Sequence, residues 1–236
     1  MTRQEEIAQN FTVVREKMRE AAARRTIAKT SPPRLLAATK HVPPGEINDA
    51  VDRLGLELIG ENRVDELLEK YPYLDPRAEL HFIGTLQTNK VRYIIDKVRM
   101  VHSLDSVKLA AEIEKQAAKR GLVMDVLAEV NIGGEAAKSG VLPAETDEFL
   151  CAVSEFTHLR LRGLMTMAPK CGAAEEYRKY FRETYQIFID ILTKKTHNIV
   201  EPVLSMGMSA SYETAIEEGA DIVRVGQAPF SARVYP

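Results

Sequence analysis

Two cysteines in 236 residues, Cys151 and Cys171, are too few and too far apart for a disulfide framework or a zinc cluster, and both are read as reduced thiols. No run of 18 or more apolar residues is long enough to span a membrane. The opening MTRQEEIAQN has no apolar core for a signal peptide. A cytoplasmic protein without a membrane partner is therefore expected. Charge of one sign is scarce as well: 32 Lys and Arg stand against 34 Asp and Glu, interspersed, for a net charge of -2. That balance argues against the basic stripe that nucleic acid requires. No Pro/Gly/Ser-rich linker or low-complexity tract divides the chain, so residues 1–236 are read as one domain.

Periodicity organises what is present. Residues 2–28 read as one amphipathic helix, because Thr2 and Glu5 have capping-box spacing and Ile7, Phe11, Val14, Met18 and Ala21 recur at helical intervals. The segment 1–30 is expected to pack on the rest of the fold, ending before Pro32-Pro33. Beyond it, short apolar runs alternate with helical stretches: Leu35–Thr39, Glu57–Ile59, Leu80–Ile83, Met100–Ser103, Val123–Val130, Leu161–Thr166, Pro202–Ser205 and Ile222–Val225. The stretch from Ser106 to Arg120 carries Leu109, Ile113 and Ala117 on one face and stops at Gly121. Eight such units predict an α/β fold, a single (β/α)8 TIM barrel with an extra N-terminal helix; an open doubly wound sheet has the same local signature.

In such a barrel the chemistry gathers where the strands end and the βα loops converge. Lys40 directly ends the run LLAAT, so its amine is expected to emerge into the barrel, where desolvation favours the neutral form. A neutral lysine amine attacks aldehydes, which is the requirement for Schiff-base chemistry; most lysines, by contrast, merely reach solvent. The last two units, LSMGMSASYETAIEEGADIVRVGQAPF, supply the loops that commonly bind phosphate. There Ser209 is read as the N-cap of a helix ending near Gly219, and Gly207 and Gly226 permit close approach of backbone to an anion. Arg224 stands inside the final apolar run, where an unpaired guanidinium is costly, so it needs a structural partner or a ligand. With Lys40 and a phosphate site, it suits the pyridine nitrogen of pyridoxal 5′-phosphate (PLP).

These residues sit in LLAATK, IGENRVDELLEK, LHFIGTLQTNK, VNIGGEAAKSG, LRGLMTMAP, LSMGMS and VRVGQAPFSAR. Through them the sequence resembles, over nearly its whole length, the pyridoxal phosphate homeostasis proteins of the YggS/PROSC type, relatives of the alanine racemase N-terminal domain barrel. The resemblance implies that Lys40 carries PLP as a Schiff base, that Ser209, Gly226 and Gln227 serve the phosphate, and that Arg224 approaches the pyridine nitrogen. Asn62, His81 and Met165 are weaker candidates for lining the site. The chain departs from the pattern at His41, where a small polar residue is expected, at Gln227 in place of threonine, and at Ser231 in place of glycine. A phosphate contact through a backbone N–H at Gln227 survives that change.

Other signals carry less. GGEAAKS, Gly133 to Ser139, imitates a P-loop but has Ala137 where glycine belongs before the lysine. His41, His81, His102, His158 and His197 lack zinc-type spacing, and no metal site is expected. Glu175–Lys179 with Arg182 and Glu183 reads as a solvated helix face, and Cys171 as an inert thiol. The family resemblance implies a PLP carrier that regulates vitamin B6 balance, with apo PLP-dependent enzymes as acceptors and without substantial catalysis. The alternative is a PLP-dependent amino-acid racemase. Racemisation needs acid and base on opposite faces of the cofactor, and alanine racemases take one, a tyrosine, from a second domain and subunit; the chain ends at Pro236, where a barrel of ordinary length ends. No dimerisation element is evident, so a monomer is expected.

Overall fold

The computed structural model describes residues 1–27, 29, 31–194 and 199–230. Eight parallel strands follow one another around a closed barrel: β1 (Arg34–Ala38), β2 (Leu58–Glu61), β3 (Glu79–Phe82), β4 (Met100–Leu104), β5 (Met124–Val130), β6 (Leu159–Thr166), β7 (Val203–Ser205) and β8 (Ile222–Val225). Closure decides between the two topologies left open by the sequence, because β1 pairs with β8, Leu36 opposite Arg224 and Ala37 opposite Val225. Every expected apolar run overlaps one strand.

Alternation along the strands sorts the side chains into two populations. One set, including Ala37, Ile59, Phe82, Val101, Val126 and Val223, joins the helices in a single large core. The other packs inside the barrel as two smaller clusters: Leu36, Leu58, Ile83 and Ile222 in one, Met100, Leu127 and Met165 in the other. Leu36 and Ala38 share the inward parity, and Lys40 is the next position in that series.

The outer ring begins with α1 (Arg3–Ala23), capped by Thr2 and Glu5 in a reciprocal box, and burying Ile7, Phe11, Val14, Met18 and Ala21. It packs against α2 (Pro44–Leu54) and, across the seam, against α8 (Tyr212–Glu217) and α9 (Gln227–Phe230). Between these lie α3 (Val64–Lys70), α4 (Val91–Ile94), α5 (Val107–Ala118), α6 (Thr146–Ser154) and α7 (Ala174–Lys194). The first helix ends five residues short of the expected 28. Arg25 turns away to donate to the carbonyls of Ile216 and Ala220 at 2.9 and 2.7 Å, which satisfies the C-terminal end of α8. Among the described residues no helix is long and apolar enough to cross a membrane.

Candidate functional site at the barrel mouth

Lys40 stands two residues beyond the end of β1, in a turn, and is exposed. The expectation that burial desolvates it is therefore not met: the protein's own atoms leave the side chain open at the rim. What is buried is its surroundings. Thr39 donates its hydroxyl to Glu61 Oε1 at 2.7 Å, and the Lys70 ammonium donates to the Thr39 carbonyl at 2.7 Å and to Glu61 Oε1 at 2.9 Å. His41 carries a positive φ of 63°, unusual for a residue with a side chain. A surface cavity of about 400 Å³ opens beside this turn, lined in part by His41, Arg63, Glu66 and Lys70.

On the strand beside β1, β8 brings up Arg224, which is 4% exposed. Its guanidinium donates to Ser205 Oγ at 2.7 Å and to the Thr166 carbonyl at 2.8 Å. No carboxylate pairs with it among the described residues, and burial lowers its pKa to about 10 despite the attraction of Glu129. A buried cation held only by neutral acceptors favours a ligand that accepts hydrogen bonds or brings negative charge.

The chain of contacts continues inward. Ser205 Oγ lies 3.1 Å from His102 Nδ1, and His102 Nε2 lies 2.9 Å from His81 Nδ1. Burial drives His102 well below its usual pKa, with His81 and Arg224 adding to the effect, and burial also lowers His81. Both rings are neutral, so each has one donor and one acceptor. Because Arg224 donates to the serine oxygen, the serine proton points to His102 Nδ1. His102 then carries its hydrogen on Nε2 and donates to His81, whose own hydrogen sits on Nε2, 3.6 Å from Glu79 Oε2. A single donor direction thus runs from Arg224 on β8 to His81 on β3. Glu129, also buried, has its carboxyl raised to about 7 by burial and by Asp105, against the pull of Arg224.

The final loops lie next to the end of β1. A Cβ on Gly226 would approach the Ala38 carbonyl to 3.0 Å, so glycine lets the end of β8 close against the residue two before Lys40. Gly207 has a φ of 91°, and a Cβ there would meet Ala215 Cβ at 2.5 Å; its smallness serves the packing of α8. Ser209 is not the N-cap. The helix begins two residues later, with Ser211 at the cap position, because the Ser211 and Tyr212 N–H groups both turn back to the Met208 carbonyl. Ser209 lies half-buried in the loop and lines a cavity of about 280 Å³ with Arg24 and Arg178. Gln227 opens α9, while its side chain, like Ser231 and His197, lies outside the described residues.

Of the remaining candidates, Asn62 is half-buried just beyond β2, and Met165 is fully buried inside the barrel. His81 is a bonded core histidine rather than a rim residue. Sequence reasoning missed Ser205, His102, Glu129 and Lys70. For the first three a signal existed, since each is a polar residue at the inward parity of a strand. The described residues contain no cluster of His, Cys, Asp or Glu fit to hold a metal.

Comparison with known proteins places this architecture. The profile of the alanine racemase N-terminal domain matches residues 3–233. The chain belongs to that family. Within the family it is 46% identical, over 86% of its length and 88% of the relative's, to the pyridoxal phosphate homeostasis protein of Aquifex aeolicus. To the Escherichia coli K12 protein of the same name it is 37% identical over 98% of both chains. The solved structure of PipY from Synechococcus elongatus with PLP bound superposes with a TM-score of 0.80 at 27% identity, covering 95% of this chain and all of that one.

Proposed function

We propose that this chain is a PLP-binding protein of intracellular vitamin B6 homeostasis that holds the cofactor as a Schiff base on Lys40. The observation that carries the reading is Arg224, a buried guanidinium with no carboxylate partner among the described residues, on the strand that pairs with the one leading to Lys40. A pyridine nitrogen is an acceptor of the kind this donor calls for. The relatives named as pyridoxal phosphate homeostasis proteins, and the PLP bound to PipY, support the same assignment.

Each residue then has a task. Lys40 would supply the amine; Gly226, the Gln227 backbone and Ser209 would hold the phosphate; Arg224 would serve the ring nitrogen; Asn62, Gly207, His81 and Met165 would more weakly shape the surroundings. When bound, PLP would supply an aldehyde carbon open to attack by the Lys40 amine. A guanidinium at the ring nitrogen disfavours its protonation and weakens the electron sink that racemisation draws on. Alanine racemase tolerates the same pairing, so the preference for a carrier over a racemase rests on the homeostasis names of the relatives.

Residues 1–236 act as one cytoplasmic, monomeric unit that passes PLP to apo-enzymes. The test is incubation with PLP followed by borohydride reduction and peptide mapping. A visible absorption band and a modified Lys40, both lost in Lys40→Ala, are expected. Protein that stays colourless in excess PLP ends the reading, and interconversion of amino-acid enantiomers by the loaded protein ends the carrier assignment.

A further inference from the structure

We propose that Lys70 is a positioning residue for Lys40, its buried ammonium holding the backbone on both sides of the reactive lysine. This rests on the assignment of Lys40 above and extends it to residues that never touch the cofactor.

Lys70 ends α3 with its side chain 9% exposed. An ammonium has three hydrogens, and here three acceptors take them: the Thr39 carbonyl at 2.7 Å, Glu61 Oε1 at 2.9 Å and Glu66 Oε1 at 2.6 Å. Two of these lead to the neighbours of Lys40. The Thr39 carbonyl belongs to the residue before it. Glu66 Oε1 also accepts the N–H of His41, the residue after it, at 2.5 Å. One cation therefore grips the peptide preceding Lys40 directly and the peptide following it through a shared carboxylate oxygen.

The grip has something to hold. His41 adopts a φ of 63°, a conformation that persists in a residue with a Cβ only where the surroundings over-determine it. The turn sends the chain out of the barrel toward α2, and it decides the direction in which the Lys40 stem leaves the strand. Thr39, donating its hydroxyl to Glu61 Oε1 and its backbone N–H to the Gly60 carbonyl, fixes the strand end from the other side. Lys40 itself is exposed, so its aim depends on backbone held from beneath. With every donor engaged, Lys70 is a strut and not a second amine for the aldehyde.

Wild type, Lys70→Met and Glu66→Ala are to be titrated with PLP while the visible band is followed, alongside thermal melts and amide exchange at His41. Lys70→Met is expected to weaken PLP binding and slow band formation by about tenfold or more, since a reactive group misplaced by about 1 Å loses much of its advantage. Glu66→Ala, at a half-buried position, is expected to do the same to a smaller degree. In both variants the residual label still maps to Lys40. A folded variant that binds with wild-type affinity and rate overturns the proposal, because a purely structural ion pair would lower the melting temperature alone. If Lys70→Met does not fold, Glu66→Ala decides in the same way. If wild type itself forms no band, the assignment of Lys40 fails; exchange at His41 then decides the present point, faster exchange in Glu66→Ala and Lys70→Met supporting the grip and unchanged exchange refuting it.

Discussion

Two buried cations flank the mouth of this barrel, and they are compensated in opposite ways. Lys70, under the end of β1, has two carboxylates against one ammonium. Arg224, on the neighbouring β8, has a serine hydroxyl and a backbone carbonyl and no ion pair among the described residues. A cation with its countercharge supplied is finished as structure. One held by neutral acceptors keeps an unspent preference for a partner that accepts, and so marks where a ligand belongs.

The strongest way to break that contrast is to remove the compensated cation. Lys70→Met strands the Glu61 carboxylate in a buried site, and loss of one member of a buried pair costs about 3–5 kcal/mol, measurable by urea denaturation at pH 7. Burial pushes the Glu66 carboxyl up, but the Lys70 ammonium and the His41 N–H outweigh it and hold it below its ordinary 4.5. A depressed carboxylate contributes stability above its unfolded pKa and loses it as pH falls through the folded value. The gap between wild type and Lys70→Met is therefore expected to narrow below about pH 4.5, as the wild type loses the contribution of Glu66.

Arg224→Leu is expected to cost less, about 2 kcal/mol, because it leaves two neutral acceptors unsatisfied while relieving a buried charge. Its larger effect falls on the ligand: PLP affinity drops although Lys40 is untouched. An Arg224→Leu protein that binds PLP as tightly as wild type would erase the difference between the two cations.

Glu129→Gln sharpens the comparison by changing the field around Arg224 without removing any of its hydrogen bonds. Its folded pKa is raised to about 7 by burial first and Asp105 second, so the folded state binds a proton that the unfolded state releases above about 4.5. The sign is opposite to that of Glu66. The favourable contribution is present below the unfolded pKa and is lost as pH rises from about 4.5 through 7. Glutamine does not titrate, so the variant gains on wild type across that window, by on the order of 3 kcal/mol at pH 8. A pH-independent difference in melting temperature would contradict this.

The barrel was legible in the sequence, and the interior was not, for one physical reason. Each strand, turn and helix announces itself over a few residues, as Thr2 with Glu5 and Ser106 with Leu109 do, and all eight apolar runs found their strands. Lys40 and Arg224 were legible as strand-end and mid-strand anomalies. Ser205 and His102, by contrast, are 103 residues apart in the chain, and Arg224 and Thr166 are 58 apart. Strand pairing makes Arg224 and Thr166 neighbours, and curling of the sheet into a barrel brings His102 on β4 to Ser205 on β7. The misplaced N-cap has a local cause: Ser209 and Ser211 are equally good capping residues, and the turn back to Met208 selects between them.

The smallest expected effect tests the direction of the interior chain. Ser205→Ala removes a hydroxyl that accepts from Arg224 and donates to His102, at a cost of about 1 kcal/mol. The informative readout is the tautomer of His102, followed by nitrogen chemical shifts. In wild type the hydrogen is expected on Nε2 of a neutral ring, because burial holds its pKa well below 6.5. Without the serine proton, Nδ1 has no donor, and the other tautomer becomes accessible. A wild-type His102 found with its hydrogen on Nδ1 would reverse the direction between serine and histidine, requiring the serine hydroxyl to accept from His102 as well as from Arg224.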